Sequence, residues 1–313
     1  MTDHATAPGA GSGPSWVLGG ALASLDHPGA RRRFLLARRP GERSGVDDVE
    51  VGGADVGRGW VPLGWLLDPA PVAERRAADP VSGLGICELT GAMAFHAVAA
   101  PVVDLAVSLL VVAGCAVDLD PHEVLVRTER GPVVEVAVPG PGRLLVDPAG
   151  PTAGALGDDG LVMTATADLG DRVAGWLVAA LDPLVALVEP VDPALRWGSV
   201  ADLVAVLAAG RQRAHDLPVD ATWAATERVI GGLRARCPHP TERPGRLAVP
   251  APDGGAAWAL ARRSSCCQWY RAARHLGEPS VADARCADCP SLEPVTNVAR
   301  LAVLAASDDL ASP

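Results

Sequence analysis

Between Gly91 and Val117 the sequence runs GAMAFHAVAAPVVDLAVSLLVVAGCAV, with Asp104 as its one formal charge. A run of that length and polarity has two homes: a bilayer or the centre of a sizeable core. His96, Pro101 and Asp104 interrupt it and no basic cluster flanks it. We therefore read it as a core helix, broken near Pro101, and not as a transmembrane span. With 313 residues and 49% apolar content, the chain has enough material to bury such a helix.

The flanking segments set the architecture. Residues 1–14 read as a disordered lead and 15–80 as an irregular N-terminal region. Within it Trp16–Leu25 suggests a short helix, and the Arg-rich Ala30–Arg43 the rim of a strand or helix. Ser44–Asp68 is Gly-rich and irregular. Residues 81–245 read as a mainly helical domain with a β hairpin near 123–146. In that hairpin Glu123–Thr128 and Val133–Val138 are joined by ERGP. Arg143–Val146 and Leu161–Ala167 add two further strands.

Helical periodicity then returns. It spans Asp168–Val188, interrupted at Pro183, then Leu195–Ala209, ended by Gly210, and Val219–Arg236, capped by Asp220 or Thr222. Cys237–Gly255 reads as a Pro/Gly-rich linker. Residues 258–292 form a cysteine-bearing segment, and 293–313 a closing helix, Val295–Ala306, with a tail. The fold class is α+β, mainly α, with a small antiparallel hairpin or sheet inserted.

Charge argues against one function class. All 27 basic residues are Arg and the net charge is -10, which makes the chain a poor candidate for general phosphate-backbone binding. No nucleic acid is expected as a partner. The first residues carry no export signal, so the expected compartment is cytoplasmic, where thiols stay reduced.

In that compartment the stretch RRSSCCQWYRAARHLGEPSVADARCADCP, Arg262–Pro290, stands out. It holds Cys266, Cys267, Cys286 and Cys289, four of the seven cysteines. Thiolates are soft donors for zinc, copper(I) or iron–sulfur clusters. The C-x-x-C pair fits zinc spacing, but the adjacent pair does not. Neighbouring residues point about 100° apart on a helix and to opposite faces on a strand. The geometry thus favours an iron–sulfur cluster, with a zinc site and a C-x-x-C disulfide as alternatives.

Ser264 or Ser265 is positioned to cap a helix running through Gln268–Leu276, whose N–H groups would face the sulfurs. Arg262, Arg263, Arg271 and Arg274 give this part a local charge of +4, suited to offset a thiolate-ligated group or guide a partner. Cys87 and Cys115 read as small core hydrophobes. Cys237 has no partner in the pattern.

RRSSCCQWYR followed by RCADCP resembles the C-terminal signature of the FhuF-like ferric iron (ferric-siderophore) reductases. Upstream, LRWGSV at Leu195–Val200 is similar to a helical element of that family. The gap between the cysteine pairs, eighteen residues here, is longer than in the family, with the extra residues around Gly277–Ala284. The resemblance implies a [2Fe-2S] cluster held by Cys266, Cys267, Cys286 and Cys289, and one-electron reduction of an Fe(III)-siderophore, often a hydroxamate. No nucleotide or flavin fingerprint is present, so the electrons would come from an external donor protein of ferredoxin or flavin reductase type. A non-catalytic [2Fe-2S] electron carrier or sensor and a zinc-stapled binding protein are the competing readings. His96, His122 and Trp197 are candidates to line a chelate site, each with an ordinary core or surface role as the simpler reading.

Overall fold

The computed structural model describes residues 33–37, 60–66, 70, 73, 87–128, 133–139, 144–146, 163–165, 168–187, 192–238, 243–252, 254–266 and 285–306. The lead at 1–14, Trp16–Leu25 and the proposed helix through Gln268–Leu276 lie outside them.

The chain begins with β1 (Arg33–Ala37), β2 (Trp60–Pro62) and the single turn α1 (Leu63–Leu66). The apolar run then forms one helix, α2 (Cys87–Ala113), which passes through Pro101. The expected break is absent because Pro101 removes only one backbone hydrogen bond, while the helix buries residues on every side. Phe95, Leu105 and Leu109 are 0% exposed. The segment Ala94–Ala113 is long and apolar enough to cross a membrane, and 72% of its apolar window is buried inside the structure. Gly114, at φ 62, ends the helix, its N–H reaching the Leu110 carbonyl at 3.1 Å. Only glycine takes that left-handed position without strain.

The strands β3 (Cys115–Val117), β4 (Leu125–Thr128), β5 (Val133–Pro139), β6 (Leu144–Val146) and β7 (Met163–Ala165) follow. The hairpin is present: β4 and β5 pair antiparallel, with Val126 opposite Val136 and Arg127 opposite Glu135. It belongs to a four-stranded sheet of order β1-β5-β4-β2, in which β1 runs parallel to β5. The strands at 144–146 and 163–165 do not extend the hairpin. They form a separate sheet of order β3-β6-β7, again with one parallel pairing. Each of these two sheets carries one parallel pairing at an edge beside its antiparallel pairing, and the antiparallel hairpin of the sequence reading is present in the first.

Three helices pack on α2. They are α3 (Leu169–Leu187), α4 (Pro193–Ala214) and α5 (Val219–Arg236). Pro183 lies inside α3 without ending it, and α4 continues past Gly210. Asp192 caps α4, accepting from the Ala194 N–H at 2.9 Å ahead of Pro193. The expected cap of α5 at Asp220 or Thr222 is replaced by Pro218, which makes no side-chain cap. One core joins these helices to α2 through Leu177, Leu181 and Leu184, Trp197, Val200 and Val204, and Val229 and Leu233. Inside it, Asp104 of α2 meets Arg211 of α4 at 3.0 Å, and Ser108 donates to the same carboxylate. At the surface Arg236 of α5 grips Asp171 of α3 through two bonds of 2.6 Å.

The expected linker at 237–255 contains a strand. β8 (Gly245–Val249) pairs antiparallel with β9 (Trp258–Arg262), Leu247 facing Leu260. Its alternating burial was hidden by the Pro and Gly around it. The sheet packs against α4 and the closing helix α6 (Pro294–Ala306). The Arg213 guanidinium lies 5.2 Å over the Trp258 ring, tying the end of α4 to the start of β9. The overall class is mainly helical with small sheets, and β9 delivers the chain directly to the cysteine segment.

Candidate metal centre

Two short segments carry the described thiols. Residues 262–266 leave β9 and end on Cys266; residues 285–292 hold Cys286 and Cys289 and lead into α6. All three cysteines are thiols, not disulfides. Cys267 lies outside the described residues.

Two arginines clasp the segments together. The Arg263 N–H donates to the Asp288 carbonyl at 3.1 Å, and its guanidinium Nε to the Asp288 carboxylate at 2.7 Å. The Arg262 Nη2 donates to the Pro290 and Leu292 carbonyls at 2.8 and 3.0 Å. Its Nε donates to the Asn297 amide oxygen at 3.1 Å. Asn297 is fully buried on α6. Its own amide donates to the Ala287 carbonyl at 2.6 Å and the Cys289 carbonyl at 3.1 Å. Two carbonyls of the C-x-x-C and two just after it are thus tied to one Arg–Asn pair. Its turn is closed by the Cys289 N–H on the Cys286 carbonyl at 3.1 Å. The Ser291 hydroxyl lies 3.0 Å from the Cys289 sulfur.

The other segment is pinned to α4. Asp202, 3% exposed, takes the Ser264 N–H at 2.6 Å and its hydroxyl at 2.8 Å on one oxygen. The other oxygen takes the Ser265 N–H at 2.8 Å and the Ser265 hydroxyl. Burial pushes this carboxyl above its ordinary range, against the four hydrogen bonds, which pull it down. The two serines turn their N–H and O–H groups into this carboxylate; the helix that either was expected to cap lies outside the described residues. Ser199, one turn before Asp202, has its hydroxyl 3.3 Å from that of Ser265.

Beside this anchor lies a small cleft with a cavity volume of about 10 Å³, lined by His96, Ser199, Asp202, Leu203, Val206, Arg263 and Ser265. His96 has its pKa lowered to about 3, by burial first and then by the positive charges of Arg263 and Arg196. Its imidazole is neutral at ordinary pH. The other two chelate-lining candidates are elsewhere. Trp197 is 1% exposed in the helical core, and His122 is exposed on a 3₁₀ turn at Pro121–Glu123. Cys115 is fully buried, its thiol pushed up to about 12 by burial. Cys237 is pushed up to about 11, by burial and then by Asp182. Both behave as core residues; the side chain of Cys87 is not among those described.

Among the described residues no three His, Cys, Asp or Glu side chains converge closely enough to share a metal ion. What fits a thiolate-ligated group is the donor chemistry and its mounting. Cys266 and the C-x-x-C sit on segments that Arg263 joins, with a hydroxyl at one sulfur. Asp202, Asn297 and Ser291 were not singled out by sequence. The first two had a faint signal: Asp202 is the one carboxylate in its helical run and Asn297 the one amide in its own. Compared with family models, curated proteins and solved structures, the chain gives no match.

Proposed function

We propose that this chain is an iron–sulfur protein that reduces Fe(III) held by a siderophore and so releases Fe(II) in the cytosol. Cys266, Cys267, Cys286 and Cys289 would hold a [2Fe-2S] cluster. The observation that carries the reading is the clasp. Arg263 bonds Asp288 through both backbone and side chain, so the two ends of the cysteine stretch meet despite their separation in sequence. The resemblance of RRSSCCQWYR and RCADCP to the FhuF-like reductases supplies the reaction class.

When bound, the cluster supplies a one-electron reductant. The chain's own residues do the rest. Asp202 fixes the approach to Cys266, Asn297 and Arg262 fix the C-x-x-C loop, and the cleft at His96 presents an imidazole and the Ser199 and Ser265 hydroxyls next to the Asp202 anchor. Its cavity volume of about 10 Å³ has room for little more than one water, so a chelate would dock against its mouth and not enter it. Fe(III) is a hard cation that hydroxamate oxygens hold tightly; Fe(II) is held far less strongly, so reduction releases the metal. An external donor protein of ferredoxin or flavin reductase type returns the electron.

The closed C-x-x-C turn is also the half-site of a structural zinc, which is the second reading. Anaerobic purification separates the two. The reductase reading expects visible charge-transfer absorption, lost in Cys286→Ser. Dithionite-reduced protein mixed with ferric hydroxamate should be reoxidised while a coloured chelator traps Fe(II). Colourless protein with stoichiometric zinc refutes the cluster. Coloured protein that no ferric chelate reoxidises leaves the electron carrier.

A further inference from the structure

The closing helix α6 has two apolar faces. The inner one is covered: Leu301, 5% exposed, packs with Val298 and Ala302 against Val249 of β8 and Leu260 of β9. The outer one faces solvent. Among the described residues Val295 and Val303 are the most exposed large apolar side chains, at 75% and 69%. Ala299, between them, is exposed too. At about 100° per residue the three fall within about 80° of one another, in one stripe about 12 Å long. The single charge in the helix, Arg300, donates to the Arg285 carbonyl at 2.8 Å. The first turn of α6 has no acidic residue and its last turn no basic one, so no side chain of opposite sign in those turns offsets the partial charges of the helix ends.

We propose that the outer face of α6 pairs with the same face of a second copy of this chain, antiparallel about a two-fold axis at Ala299. The stripe is its own complement. With the small Ala299 at the crossing, Val295 of each copy meets Val303 of the other, and the two ends of the pair repeat one contact. Antiparallel pairing also lays the positive N-terminal end of each helix beside the negative C-terminal end of its mate. A net charge of -10 sets two copies against each other, so self-association favours a face without acidic side chains, and α6 has none. One helix face is well short of the about 800 Å² per partner of a stable interface. The pair is therefore weak and forms with rising concentration. Asn297 of the same helix holds the C-x-x-C loop ahead of α6, so pairing sets the two cysteine loops at opposite ends of the helix pair.

Sedimentation of the full chain under reducing conditions, from low micromolar to near-millimolar concentration, tests this. The average mass should rise from monomer toward dimer. Val295→Lys and Val303→Glu each put a charge against an apolar neighbour at both ends of the pair, and each should raise the dissociation constant about tenfold or more. Both positions are exposed, so thermal unfolding should match the wild type. The double variant Val295→Lys/Val303→Glu sets opposite charges face to face across the two-fold. It should self-associate more tightly than either single variant, and less so in high salt. Within one chain the two positions lie too far apart to pair. A chain that stays monomeric throughout overturns the proposal. So does a dimer that the single variants leave intact, and so does a double variant no tighter than the singles. Each outcome is independent of whether the thiols hold a cluster.

Discussion

Removing the Asp202 carboxylate should release the segment that carries Cys266. Four donors converge on it: two backbone N–H groups and two hydroxyls, from Ser264 and Ser265. In Asp202→Ala the hydroxyls can rotate, and that of Ser265 has Ser199 within 3.3 Å. The two N–H groups cannot. Each buried donor left without an acceptor costs about 1–3 kcal/mol, so the pair costs about 2–6 kcal/mol. Removing a buried carboxylate recovers some desolvation, as the raised pKa of Asp202 indicates. The expected net loss is about 2–4 kcal/mol. Asp202→Asn keeps one oxygen and sets an NH₂ against the Ser265 side, for about 1–3 kcal/mol. The pH dependence has a definite sign. The folded pKa lies above the unfolded one, so this group's contribution is greatest below the unfolded pKa. It falls as pH rises toward the folded pKa and is flat beyond. The gap between wild type and Asp202→Asn should therefore be smaller at pH 7 than at pH 4. Urea unfolding at both pH values measures it, with alkylation of Cys266 as a local readout. Asp202→Ala within about 0.5 kcal/mol of wild type, with unchanged alkylation at Cys266, would refute the anchor.

Two further outcomes follow from the helical core. Gly210 and Gly232 both lie inside helices, yet alanine should act on them with opposite signs. A Cβ at Gly210 meets nothing within 4 Å, so Gly210→Ala should gain about 0.5–1 kcal/mol in thermal unfolding. A Cβ at Gly232 would stand 2.7 Å from that of Ala174, so Gly232→Ala should force α3 from α5 and lose about 1–3 kcal/mol. The Asp171–Arg236 pair holds the Asp171 carboxyl below its usual range, chiefly through the side-chain hydrogen bond from Arg236. Its contribution is present above the unfolded pKa and lost as pH falls through the folded one. With both side chains more than a third exposed, Asp171→Asn should cost about 0.5 kcal/mol at pH 7 and less in high salt.

Legibility followed the range of the interactions. The hairpin at 125–139 was visible because alternation is local, and α5 because its periodicity and terminal arginines are local too. Prolines misled where burial outweighed them: α2 runs through Pro101 and α3 through Pro183, since each loses one hydrogen bond and keeps a buried face. The strand β8 was hidden because its pairing with β9 lies across a Pro/Gly-rich stretch. The same distinction divides the site. Cysteine spacing is written in about thirty consecutive residues, but the group that fixes the Cys266 side, Asp202, lies 62 and 63 residues from the serines it holds.

The arginines ahead of the cysteines show what such distance conceals. In sequence they form a local charge of +4, suited to offset a thiolate-ligated group, guide a partner or simply line a solvated helix face. In the structure Arg263 is spent on the Asp288 carboxylate, and Arg262 on an amide and two carbonyls. Arg271 and Arg274 lie outside the described residues. A guanidinium presents five donors in a rigid fork, and it is that fork, more than the charge, that these two positions use. Lysine would keep the charge at Arg262 and lose the planar array that reaches Asn297, Pro290 and Leu292 together. Charge at these positions is therefore the carrier of a short-range clasp, partly buried and weakly screened by salt. The C-x-x-C loop owes its shape to that clasp as much as to its own spacing.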